Sequence, residues 1–130
     1  MLVVDASIAV TACLASDGFS FLEGEQLVAP PLLWPESRSA LHVLAFRGDA
    51  SRESARAAAQ LLDAAPIEAR APGQLGSDAW QLADELGWAK TYDAEYVALA
   101  RILGCRLVTL DARLRRGADR LGFVVSPTEL

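Results

Sequence analysis

Along the chain, short runs of apolar and β-branched residues alternate with longer stretches in which apolar positions recur every three or four residues. The short runs, at residues 2–4, 27–29, 67–69, 106–110 and 123–125, predict strands. Between them, Leu75, Ala79, Leu82, Ala83 and Leu86 mark one helical stripe, and Tyr92, Tyr96, Leu99 and Leu103 mark the next. Residues 31–65 read as two helices, with Arg47-Gly48-Asp49 as the break and Ser51 as the cap of the second. That second helix, SRESARAAAQLLDAA, is rich in Ala, so it either packs closely on a neighbour or forms a mobile arm.

Strands that are short, largely apolar on both faces and separated by helices describe a parallel sheet covered on both sides. The expected architecture is therefore α/β: a three-layer α/β/α sandwich around a central, mostly parallel sheet of about five strands. A chain of 130 residues that is 52% hydrophobic supports one full core, so residues 1–130 are expected to form a single domain. There is no internal repeat and no long linker.

Composition narrows the setting. Cys13 and Cys105 lie in apolar segments without the dense spacing of a disulfide framework, which points to reduced thiols and a cytoplasmic location. The first strand begins at Met1 with no basic leader, and the longest uncharged apolar stretch, QLVAPPLLWP, is broken by three prolines; neither export nor membrane insertion is expected. The net charge of −5 argues against a broad basic surface. Yet residues 101–120 carry six arginines against two aspartates, a local excess whose plain reading is a solvated arginine surface.

The chemistry is suggested by how the strands end. Both MLVVDAS and LVTLDARL run from an apolar strand into Asp-Ala, placing Asp5 and Asp111 at the carboxyl edge of the sheet, where open α/β folds bind ligands. Glu36, in LLWPES, and Asp93, in KTYDAEYVALA, each open a helix from the same edge. Helix capping explains any one of these aspartates. It does not explain why four carboxylates should gather, since two unit charges about 4 Å apart repel by about 4 kcal/mol even at an effective dielectric of about 20. A cation relieves that repulsion, and hard oxygen donors suit Mg²⁺ or Mn²⁺. No HxH, CxxC or HExxH pattern offers a zinc site, and the one histidine, His42, lies mid-helix. An acidic cluster of this kind suits metal-dependent hydrolysis of a phosphoester.

Taken in order, MLVVDAS, LLWPESRSAL, YDAEYVALA and LVTLDARL resemble the PIN-domain family, most closely the VapC-type toxins of bacterial toxin–antitoxin pairs. The resemblance covers nearly the whole chain, and its most specific part is Y-D-A-x-Y-x-A-L-A followed by T-x-D-x-R-L. It implies an acidic quartet at Asp5, Glu36, Asp93 and Asp111 that binds Mg²⁺ or Mn²⁺ and supports endonucleolytic cleavage of RNA. It also implies supporting hydroxyls at Ser7 and Thr109, a homodimer, and a cognate VapB-type antitoxin as partner. Glu95 departs from the commoner pattern, and its place beside the apolar stripe predicts that it faces solvent.

Alternatives remain at this level. A non-catalytic PIN-like module for binding or assembly would use the same carboxylates as helix caps, and another Mg-dependent phosphoesterase would share the acidic edge. A haloacid-dehalogenase-like phosphatase needs a second carboxylate where Ser7 stands, and a receiver domain needs an acidic pair that Asp5 lacks. No aromatic platform for RNA bases is evident: Trp34, Trp80 and Trp88 fit core or dimer packing equally well.

Overall fold

The computed structural model covers residues 1–130. Its strands are β1 (Leu2–Val4), β2 (Leu27–Ala29), β3 (Ile67–Ala69), β4 (Arg106–Val108) and β5 (Val124–Val125). Its helices are α1 (Ala6–Leu14), α2 (Leu33–Phe46), α3 (Arg52–Asp63), α4 (Leu75–Leu86), α5 (Tyr92–Leu103) and α6 (Ala112–Gly117). All strand pairs are parallel, in the order β3-β2-β1-β4-β5. The α/β architecture expected from the sequence is thus present, with six helices around a five-stranded sheet.

The central strands are buried because they are covered on both faces: every residue of β1 and β2 is inaccessible, as are Leu107 and Val108 of β4. The edge strand β3 departs most from that pattern. Its Glu68 and Ala69 are exposed, and the Glu68 carboxylate pairs with Arg70. Helices α1, α2 and α3 pack on one another, while α4 packs on α5, which lies along β1 and β4. The alanine-rich α3 is no mobile arm. Ser51 Oγ caps it by accepting from the backbone N–H of Ser54, and Ala55, Ala58 and Leu62 bury its inner face.

Two strand boundaries differ from expectation. β4 ends at Val108 instead of residue 110, and β5 begins at Val124 instead of residue 123. At the end of β4 a side chain competes with the ladder: the backbone N–H of Leu110 donates to Ser7 Oγ at 2.9 Å, turning the chain out of the sheet with Leu110 46% exposed.

The topology then fixes where a ligand can bind. From β1 the chain winds outward through β2 to β3, then crosses back to place β4 on the other side of β1. The order reverses between β1 and β4, and a crevice opens beyond their carboxyl ends. Asp5 follows one of those strands directly, and Thr109 and Asp111 follow the other.

Candidate active site

Asp5 is only 5% exposed and accepts three hydrogen bonds, from the Ile8 backbone N–H, from Ser7 Oγ at 2.6 Å and from Thr109 Oγ1. Thr109 Oγ1 in turn accepts from the Asp111 backbone N–H at 3.0 Å. The two hydroxyls therefore tie the ends of β1 and β4 together and hold the Asp5 carboxylate in one orientation. Burial nevertheless raises the pKa of Asp5, an effect that the bonds from Ser7, Thr109 and Ile8 oppose and that the charge of Asp93 adds to.

Asp111 caps α6, accepting from the backbone N–H groups of Arg113 and Leu114. Glu36 and Asp93 are not caps, contrary to the capping explanation offered for Asp93. Each lies inside the first turn of its helix, Asp93 as the second residue of α5 and Glu36 as the fourth of α2. Glu36 Oε1 instead accepts from the hydroxyl of Tyr96 at 3.0 Å. Burial raises the pKa of Glu36, the Tyr96 bond opposes that rise, and the charges of Asp93, Asp5 and Glu95 reinforce it. Asp93 is likewise raised, first by burial and then by Asp111, with Arg113 pulling the other way.

The four predicted carboxylates are thus electrostatic neighbours, with Asp93 at the hub: its charge is felt by Asp5 and Glu36, and it feels that of Asp111. Glu36, Asp93 and Asp111 line a cleft of about 540 Å³ together with Trp88, Lys90 and Arg113. Asp5, nearly closed off from solvent, is not among the lining residues. No three Asp, Glu, His or Cys side chains converge closely enough in this conformation to enclose an ion by themselves. The donor set still fits Mg²⁺ or Mn²⁺, which keep several waters and bind through one or two carboxylates at a time. Three carboxylates whose pKa values are raised by burial and mutual repulsion are a site short of positive charge.

Three sequence expectations need correction here. Glu95 does not simply face solvent: it is half-buried, and its charge reaches Glu36. Tyr92 is not part of the buried stripe. It is 57% exposed and lines the cleft, whereas Tyr96, Leu99 and the small residues between them form the buried face of α5. The hydroxyl role of Tyr96 was missed as well, because a 4-3-4 spacing reports only that its ring is apolar.

The PIN domain family profile matches residues 2–120. VapC ribonuclease Mb0985 of Mycobacterium bovis and Ribonuclease VapC9 of Mycobacterium tuberculosis are each 37% identical to the chain over 116 residues, 88% of its length and 88% of theirs. The chain belongs to the PIN-domain family, among the VapC proteins. Solved structures agree on the fold of this PIN domain. PAE2754 from Pyrobaculum aerophilum superposes with a TM-score of 0.76 over 98% of this chain and 90% of that one, at 24% identity. Mycobacterium tuberculosis VapC20, a Sarcin-Ricin loop cleaving toxin, superposes with a TM-score of 0.65 over 95% of this chain and 97% of its own, at 18% identity.

Proposed function

We propose that this PIN domain is a metal-dependent endoribonuclease, the toxin of a type II toxin–antitoxin pair, with Asp5, Glu36, Asp93 and Asp111 as its catalytic and metal-binding residues. The observation that carries the reading is the acidic crevice itself. Four carboxylates from four separate segments are electrostatic neighbours at the β1–β4 switch point of a VapC relative, and burial and repulsion raise the pKa values of three of them, which supports a cation as their partner. A bound Mg²⁺ or Mn²⁺ supplies charge neutralisation and Lewis acidity at the phosphodiester. Asp5, Asp93 and Asp111 would hold such an ion, directly or through water. Ser7 and Thr109 act through Asp5, fixing its rotamer.

Glu36 is suited to orient the attacking water. Tyr96 holds one of its oxygens, and burial raises its affinity for a proton, as a general base requires. Water then attacks phosphorus in line, its proton passes toward the Glu36 carboxylate, and the P–O bond to the leaving ribose oxygen breaks. The proposed partners follow the family: RNA as substrate, a VapB-type antitoxin, and a second copy of the chain. An acidic chain, net −5 with a pI of about 4.8, suits a basic antitoxin. Two free cysteines and the absence of any helix long and apolar enough to cross a membrane accord with a cytoplasmic setting.

A second reading has one observation in its favour. Asp5 and Asp111 do cap α1 and α6, as they would in a non-catalytic assembly module. Glu36 and Asp93 weigh against it, because neither caps anything and both carry a burial cost. Asp5→Asn separates the two. Under the enzyme reading it abolishes Mn²⁺-dependent cleavage of RNA, a loss of at least about a hundredfold, with an unchanged circular dichroism spectrum. Undiminished cleavage by the variant, or wild-type cleavage insensitive to EDTA, refutes the mechanism. A wild type that neither cleaves RNA nor gains thermal stability with Mn²⁺ returns the carboxylates to capping.

A further inference from the structure

The acidic cleft has a second wall of opposite character. It is built from the segment between α4 and α5 and from the start of α6, and it presents Lys90, Arg113 and the exposed ring of Tyr92 beside Asp93. Neither Lys90 nor Arg113 takes part in any of the chain's ion pairs. Two free cations and a bare aromatic ring therefore border a carboxylate floor.

This wall is held firmly. Gly87 closes α4 in the left-handed conformation, φ 72°, which lets the Trp88 backbone N–H reach back to Ala83 O at 2.8 Å. The Trp88 ring then lies against Gly117 of α6, where an added Cβ would stand only 3.2 Å from its Cζ2. Trp88 is thus wedged between α4 and α6, and Lys90 and Tyr92 follow it at fixed offsets. A backbone anchored in this way need not be ordered again when a ligand enters the cleft.

A polyanion is repelled by the floor and attracted by the wall, and a ring 57% exposed rewards a partner that offers a planar face. An A-form duplex presents phosphates but keeps its base faces stacked inside, out of reach of Tyr92. An unpaired strand presents both. We infer that Tyr92, Lys90 and Arg113 are the substrate-positioning residues of this ribonuclease cleft: Tyr92 stacks on an unpaired base next to the scissile phosphodiester while Lys90 and Arg113 hold the flanking phosphates. The inference deepens the ribonuclease reading and rests on it. Tyr92 acts here on binding and register, and the bond-breaking step belongs to the carboxylates.

The test uses the Asp5→Asn background, in which RNA is bound without being cut, and two probes: a short fluorescein-labelled oligoribonucleotide, and the same strand annealed to its complement. By fluorescence anisotropy, Tyr92→Ala is expected to weaken single-strand binding about tenfold, with Tyr92→Phe at parental affinity and duplex binding little changed. Lys90→Gln is expected to flatten the dependence of log K on log salt by about 0.7. In the active background, Tyr92→Ala raises KM for the single strand with kcat largely retained. Parental affinity in Tyr92→Ala, or an equal loss on single strand and duplex, overturns the inference. The two readings fail separately: cleavage by the wild type with an indifferent Tyr92→Ala sinks only the wall, whereas Tyr92-dependent binding without any cleavage sinks only the enzyme.

Discussion

The hydroxyl of Tyr96 reaches Glu36 Oε1 at 3.0 Å from a residue that is completely buried, so one side chain serves both core and crevice. Periodicity reads the ring and is blind to the hydroxyl, because its partner lies 60 residues away on another helix. The same limit explains Ser7 and Thr109: their types are legible, but the bonds that join them across Asp5 depend on β1 pairing with β4. It explains Tyr92 as well, which shares the spacing of the stripe yet sits at the first residue of α5, beyond the layer it would pack against. Tyr96→Phe isolates the polar half of the pair. Because the Tyr96 bond lowers the Glu36 pKa, its loss raises that pKa further above the ordinary value. A base that must be ionised then works only at higher pH. We expect the acid limb of kcat/KM against pH to move upward, with a loss that is greatest at low pH and recovers as the pH rises, and an unshifted limb counts against a basic role for Glu36.

At the scale of elements, the strand cores were legible because burial on both faces leaves runs of Val and Leu, and β1, β2 and β3 occupy their expected residues. Their ends were less legible, because a side chain from elsewhere decides them, as Ser7 does for β4. For α3 the sequence left packing and mobility open, since alanines allow both. Close approach to α1 and α2 resolves it: Ala55 and Ala58 are small enough for the helices to meet, and Leu62 fills the remaining space without exposure. Leu62→Ala should therefore cost about 2–5 kcal/mol in urea-induced unfolding, the range for a cavity that cannot collapse. Leu61→Ala, one residue away and 56% exposed, should cost under about 1 kcal/mol. Similar values for the two would restore the mobile arm.

For the molecule as a whole, the switch between β1 and β4 concentrates carboxylates where the fold opens, and that concentration opposes folding in the absence of a cation. Burial and Asp111 raise the Asp93 pKa above its ordinary 3.8, so the native state holds that proton to higher pH than the unfolded chain does. Stability from this group consequently falls as pH rises from 3.8 through the raised value, and the whole penalty is present above that raised value. Asp5 and Glu36, raised for the same first reason, carry the same sign. Asp93 is the clean position to test, since no hydrogen bond to its carboxylate accompanies the repulsion. Metal-free Asp93→Asn should melt a few degrees above metal-free wild type at neutral pH, and the gap should close as the pH falls below 3.8, where Asp93 is protonated in both states. Added Mn²⁺ should raise the wild-type Tm and narrow the gap, because the ion supplies the charge that the substitution makes unnecessary. RNA cleavage should be lost in the same variant. An Asp93→Asn protein that melts at or below the wild-type temperature at neutral pH would show that the crevice carries no electrostatic cost, and the case for a cation as its natural occupant would fall with it.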